Sequence, residues 1–230
     1  MLDQVTIIAF DLDDTLWPCM PTIDRAEATL YRWLQRHYPR ITDSFDPAQM
    51  VEQRREFTAR EERYRIDLTA MRCEFLHHLG ESHEYDGEQV SQRGFGVFFD
   101  ARQQVEFYDD VLPCLERLKR RFRLGAISNG NASIEHVGLG HLIEHAVSAS
   151  EVKAAKPDRM IFDALAGYFD SSPQQILYVG DDPVFDVTGP RAAGYQAVWI
   201  NRTGKNWPED LPLPDYQVED LHQLEALLKD

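Results

Sequence analysis

Residues Val5 to Phe10 form a short, nearly unbroken apolar run that stops at an acidic cluster, Asp11, Asp13 and Asp14. A run without polar alternation fits a strand covered on both faces, the habit of parallel sheets. The pattern recurs downstream. Phe122–Ile127 runs into Ser128-Asn129-Gly130, Ile176–Val179 into Gly180-Asp181-Asp182, and Ala197–Ile200 into Asn201, with a weaker segment at Ala146–Ser148. Helical patterns lie between them, at Val111–Arg121, Ser133–Leu142 (interrupted by glycines), Arg159–Tyr168 and Val187–Ala193. A last strand, Tyr216–Val218, precedes a final helix at Asp220–Lys229. This alternation predicts an α/β fold, a Rossmann-like, doubly wound parallel sheet.

One stretch breaks the rhythm. From about Thr22 to Asp100 the pattern is that of amphipathic helices, Thr22–Tyr38, Pro47–Arg65, Leu68–Leu79 and Glu88–Asp100, with no convincing strand. Pro39 and Pro47 punctuate one connection, Gly80 and Gly87 another. The expected organisation is an α/β core of residues 1–17 and 105–230, with an all-helical domain, residues 18–104, inserted after the first strand. Its arginines, Arg54, Arg55, Arg60, Arg63 and Arg65, are interleaved with Glu52, Glu56, Glu61 and Glu62, which fits a salt-bridged exposed face. The pair His77-His78 lacks a matching ligand partner.

The charge narrows the partners. A formal net charge of -15 repels nucleic acid, so a polyanionic partner is not expected. A small anion would need a local positive site: a metal ion, a lysine or a helix N-terminus. The cysteines Cys19, Cys73 and Cys114 lie far apart and suggest neither a disulfide framework nor a zinc site. The first ten residues lack a signal-peptide pattern, and no segment approaches membrane-spanning length. A cytoplasmic monomer or homodimer without a membrane partner is the expectation.

Asp11, Ser128 and Asp181 each follow an apolar strand directly, and Lys156 follows the weaker one. In open α/β sheets, ligands bind outside the carboxyl ends of the strands. Carboxylates gathered there repel one another, and a hard cation such as Mg2+, ligated by oxygen, relieves the repulsion. Lys156 and backbone N–H groups would hold the remaining oxygens of a phosphate.

Taken with those strands, FDLDDTL (residues 10–16), Ser128 in ISNG, Lys156 before Pro157 and the acidic GDDPVFD with Asp181 and Asp186 resemble, in order, the four signatures of the haloacid dehalogenase superfamily. The helical insert is similar to that family's type 1 cap. The resemblance implies that Asp11 attacks phosphorus and becomes an aspartyl phosphate, and that Asp13 protonates the leaving alcohol and then activates water. It implies a Mg2+ ion on the Asp11 carboxylate, the Asp13 carbonyl and Asp181, with Asp186, favoured over Asp182, at or behind that shell. Thr15, Ser128, Asn129 and Lys156 are implied in phosphate binding. ISNGNASIEHVGLGHLIEHAVSA and VGDDPVFDV look like the bacterial branch that dephosphorylates flavin mononucleotide and ribitylaminouracil phosphate. The residues alone lead only to a small phosphate ester. A phosphomutase or a 2-haloacid dehalogenase on the same fold, or a non-enzymatic phosphorylatable or binding protein, are the competing readings. The acid at Asp13 argues against the dehalogenase, which typically lacks it.

Overall fold

The computed structural model describes residues 2–229. They form two compact units, one of Met1–Pro18 with Glu106–Asp230, the other of Cys19–Val105.

The first unit is built on six strands, β1 (Ile7–Phe10), β2 (Arg123–Ser128), β3 (His145–Ser148), β4 (Ile176–Gly180), β5 (Gln196–Ile200) and β6 (Tyr216–Val218). They pair in the order β3-β2-β1-β4-β5-β6, every pair parallel. The order reverses direction between β1 and β4, which opens a crevice at their carboxyl ends. Burial explains why the strands read as apolar runs: Ile7, Ile8, Ala9 and Phe10 are almost wholly enclosed, as are Ile176, Leu177, Tyr178 and Val179. Each large side chain so enclosed contributes about 1.5–3 kcal/mol.

The second unit is all-helical. It contains α1 (Cys19–His37), α2 (Pro39–Ser44), α3 (Pro47–Thr58), α4 (Leu68–Ser82) and α5 (Gly87–Arg102), with one 3-10 turn at Glu62–Arg65. It has its own core, in which Leu30, Leu34, Leu76, Val90 and Phe98 pack together. The helix expected over 47–65 is instead broken after Thr58, and α2 is an additional short helix that opens on Pro39. Two of the arginines pair within the expected set, Arg55 with Glu52 and Arg63 with Glu61, and Arg63 also reaches Glu74 on α4. Arg54 departs from that pattern and joins the buried Arg72 on Glu27. His78 stacks on Phe57, and both histidines are exposed.

Returning to the first unit, α6 (Val111–Leu118), α7 (Ala149–Val152), α8 (Arg159–Phe169), α9 (Gly189–Ala192) and α10 (Leu221–Leu227) accompany the sheet. Two expectations fail here. Residues 133–142 form successive turns rather than a helix, because Gly138 takes a left-handed φ of 90° that ends any continuing turn. The helix expected over Val187–Ala193 divides into a π-helical turn, Pro183–Thr188, and the short α9, with Pro190 in the first turn where its missing N–H costs nothing. Among the described residues no helix is long and apolar enough to cross a membrane.

Candidate active site

Asp11 stands one residue past β1, and its N–H donates to the Val179 carbonyl of β4 at 2.9 Å. The sheet therefore fixes the backbone that carries this carboxylate, which is itself only 7% exposed. Its partner comes from a distant segment. The Lys156 ammonium donates to Asp11 Oδ1 at 2.6 Å, to Asp186 Oδ1 at 2.7 Å and to the Tyr178 hydroxyl at 3.1 Å. An ammonium has three donors, and all three are used. Lys156 reaches this point because Asn129, directly after β2, grips its peptide from both sides: Lys156 N–H donates to Asn129 Oδ1 (2.7 Å) and Asn129 Nδ2 donates to the Lys156 carbonyl (3.1 Å). The Asn129 side chain is thus committed to the lysine. Ser128, buried, accepts from the Gly130 N–H at 2.9 Å, which sets the loop after β2.

The acidic face is completed by the chain after β4. Asp181 extends the strand, and its carbonyl accepts from the Trp199 indole at 2.8 Å. Asp182 accepts from the Val184 and Phe185 N–H groups and caps the π-helical turn. That turn brings Asp186 back over the strand end, where its Oδ2 accepts from the Asp182 N–H at 2.9 Å. Only glycine at position 180 allows this, because a Cβ there would lie 2.4 Å from Asp186 Cγ. Carboxylate oxygens of Asp11, Asp181 and Asp186 lie within 4.8 Å of one another.

Asp11 and Asp186 share the buried Lys156 ammonium, and Asp181 faces the exposed Lys205 at 3.6 Å. Burial, with Asp186 and Asp14 adding repulsion, pushes the Asp181 carboxyl up to about 6. Burial also raises Asp11, outweighing the attraction of Lys156. Lys156 is disfavoured as a cation by its burial, but Asp11 and Asp186 outweigh that and hold it protonated. Burial raises the Tyr178 hydroxyl, which stays neutral. A divalent cation fits such a donor set: hard oxygen ligands, and in Asp181 a carboxyl that burial and the neighbouring acids raise although the exposed Lys205 ammonium lies 3.6 Å away. A second group with ligand-type atoms, Cys114, His222 and Glu225, already holds the Arg117 guanidinium, which donates to both oxygens of Glu225 at 2.8 and 2.6 Å.

Between Asp11 and Thr15 the chain turns sharply, with Asp14 at a left-handed φ of 59°. Asp14 is exposed, and Asp13 is half-buried with its Oδ1 accepting from the Trp17 indole at 2.9 Å. Thr15 is fully enclosed and its hydroxyl finds no hydrogen-bond partner. Its carbonyl is held by Arg202, which also makes a two-pronged pair with Asp110. Asp14, Asp181, Arg202 and Lys205 line a recess of about 110 Å³.

The structure therefore brings Asp11, Asp181 and Asp186 together and places Lys156 on Asp11 and Asp186. It gives Asn129's amide to the lysine backbone and encloses Thr15. Sequence reasoning missed Tyr178, which lies inside an apolar strand and reads as core, and Trp17, Trp199 and Arg202, whose polar atoms find their partners only in the folded chain.

Comparison with known proteins gives a consistent family and a divided activity. A family model described as haloacid dehalogenase-like hydrolase matches residues 5–194. The chain is 27% identical to 5-amino-6-(5-phospho-D-ribitylamino)uracil phosphatase YigB of Escherichia coli (strain K12), covering 99% of this chain and 98% of that protein. It is 25% identical to (S)-2-haloacid dehalogenase of Pseudomonas sp. (strain YL), covering 99% and 96%. Among solved structures, 2-haloacid dehalogenase from Pseudomonas syringae pv. Tomato DC3000 superposes with a TM-score of 0.90 at 33% identity, covering 98% of each chain.

Proposed function

The chain belongs to the haloacid dehalogenase-like hydrolases, and on that premise we propose that it is a divalent-metal-dependent phosphatase acting on a small phosphomonoester through a phosphorylated Asp11. One observation carries the choice of chemistry: the carboxylates of Asp11, Asp181 and Asp186 converge within 4.8 Å, with Lys156 as the buried cation of Asp11 and Asp186. A 2-haloacid carries its own carboxylate into the site, and displacing its halide needs neither an acid nor a metal. An acid cluster with surplus negative charge would repel that substrate. A phosphate ester turns the same cluster to advantage once a cation is bound between them.

Asp11, Asp181 and the Asp13 main-chain carbonyl would hold the ion, with Asp186 behind, tied to Lys156 and to the Asp182 N–H. When bound, magnesium neutralises charge on the phosphoryl oxygens. Asp11 attacks phosphorus in line with the ester oxygen. Lys156 opposes the effect of burial on Asp11 and aims it; since all its protons are engaged, contact with the phosphate requires one partner to be exchanged. Ser128 and the loop after β2 are assigned to phosphate oxygens, Asn129 through its backbone and Thr15 through the shape of its turn. Asp13 gives a proton to the departing alcohol, then takes one from the water that attacks the phosphorylated Asp11.

The substrate is assigned to the class of ribityl phosphates on a heterocycle, flavin mononucleotide or the ribitylaminouracil phosphate. Support comes from the core motifs and from the full-length similarity to the ribitylaminouracil phosphatase. Selection among esters is assigned to the helical unit, because the α/β residues named here account for the phosphate alone. The dehalogenase reading keeps the support of the 33% identical structure. A panel of phosphate esters with Mg2+, run beside 2-haloacids without metal, separates the two. Ribityl esters should lead in kcat/KM, and Asp11→Asn should abolish both turnover and acid-stable labelling by phosphate. Halide release from a 2-haloacid, with no ester turned over, would reverse the assignment.

A further inference from the structure

Trp17 is wholly enclosed, and its one polar atom donates to Asp13 Oδ1 at 2.9 Å. An indole N–H is a donor with no acceptor capacity, so burying it demands an acceptor. The acceptor here is the carboxylate two residues past Asp11. The contact is built into the turn and is not a chance approach. Leu16 N–H donates to the Leu12 carbonyl at 2.8 Å, Asp14 N–H donates to the Trp17 carbonyl at 2.7 Å, and Asp14 takes the left-handed conformation that closes the loop. The indole is wedged edge-on against Phe107, ring centres 5.6 Å apart. Indole and carboxylate are thus fixed by the same seven-residue turn that begins at Asp11.

We infer that Trp17 is a positioning residue for leaving-group protonation: its N–H holds Asp13 Oδ1, so that Oδ2 is the oxygen that carries the transferable proton. The inference rests on the phosphatase reading above. In the step concerned, an Asp11 oxygen forms a bond to phosphorus while the bond from phosphorus to the ester oxygen breaks. The bonding electrons pass to the ester oxygen, and the proton moves from Asp13 Oδ2 to it. The alcohol leaves neutral and Asp13 is left as a carboxylate, still accepting from the indole. Without the indole, the carboxyl loses the donor that distinguishes Oδ1 from Oδ2, and its orientation is less firmly set. A loosened acid of this kind loses rate through misorientation, not through lost affinity.

The test uses the full chain with Mg2+ and compares kcat/KM for an aryl ester, p-nitrophenyl phosphate, with that for an alkyl ester, flavin mononucleotide. kcat/KM reports the steps through loss of the alcohol, where protonation matters for an alkoxide and little for a nitrophenolate. Trp17→Phe should lose at least about tenfold more on the alkyl than on the aryl ester. In an Asp13→Asn background the same change should cost less than about twofold, because the group it orients is gone. Replacing Trp17 with 3-benzothienylalanine, which keeps the bicycle and lacks the N–H, should reproduce the selective loss and covers the case in which phenylalanine unsettles the core. Equal losses on both esters, or full additivity with Asp13→Asn, would reduce Trp17 to packing and overturn the inference while leaving the phosphatase reading intact. A wild-type chain that hydrolyses no phosphate ester would overturn the reading itself, and the inference with it.

Discussion

At the scale of single residues, the site is governed by Lys156 and the acids around it. Removing the ammonium by Lys156→Met leaves Asp11 and Asp186 facing each other in a water-poor space, with Tyr178 as their remaining neutral neighbour. Breaking one side of a buried pair costs about 3–5 kcal/mol, so this variant should unfold at markedly lower denaturant and lose turnover by at least about a hundredfold. Denaturant titration and kcat, measured together, check both halves. Asp181 sets the response to pH. Its carboxyl is raised to about 6 from an ordinary 3.8, so between those values the folded chain binds more protons than the unfolded one. Stability from this group is therefore present at low pH and falls as pH rises from about 4 through 6. Metal binding has the opposite slope, because the ion needs the ionised carboxylate. Mg2+ affinity should rise by up to about tenfold per pH unit below 6 and level off above it, as read by calorimetry across that range. An affinity flat from pH 5 to 7 would remove Asp181 from the ligand set.

At the scale of elements, the decisive device is the junction of β4 with the π-helical turn, where Gly180 leaves room for Asp186 to fold back over the strand end. Gly180→Ala would drive a methyl group into that carboxylate. The expected cost is about 1–3 kcal/mol of stability, together with a fall in Mg2+ affinity, checked by thermal melts with and without the ion. A melt unchanged in both conditions would mean that the turn yields more easily than its contacts suggest. This junction also shows what a sequence can and cannot tell. The strands were legible because burial on both faces leaves apolar runs, and Asp11, Ser128 and Asp181 were legible because each punctuates such a run. The turn at Pro183–Thr188 was not, since an i to i+5 bulge has no spacing of its own and its residues read as the start of a helix. Residues 133–142 misled for a related reason: their apolar positions mimic a helix, while Gly138 and the loop's return to β3 end it. Tyr178 and Trp17 were hidden for a third reason. Their rings fill the core as any aromatic would, and only the folded partners show that the hydroxyl and the N–H are in use.

At the scale of the whole molecule, the chain forms two units, and the helical one has a core of its own. The acids, Lys156 and the loop after β2 all lie in the α/β unit, whereas Cys19–Val105 holds a self-contained helical core with Glu27, Arg54 and Arg72 paired inside it. A net charge of -15 favours accumulation of cations over the acid cluster and disfavours anionic esters until the ion is bound. That charge cannot tell one phosphate ester from another, and neither can residues that touch only phosphate. If the helical unit is the selector, replacing Cys19–Val105 by a flexible glycine–serine linker should leave a chain that still binds Mg2+ with an affinity within about tenfold of the parent, since every proposed ligand remains. Its kcat/KM values for ribityl, sugar and aryl phosphates should converge, because the binding energy of the non-reacting part of the substrate is lost from each in proportion to what it supplied. Circular dichroism establishes first that the sheet has formed, and the ester panel then reads the selectivity. Convergence of the panel assigns discrimination to the helices. A truncated chain that kept the parent's order of preference would assign it to the α/β unit, where the recess bounded by Asp14, Arg202 and Lys205 would be the next place to mutate.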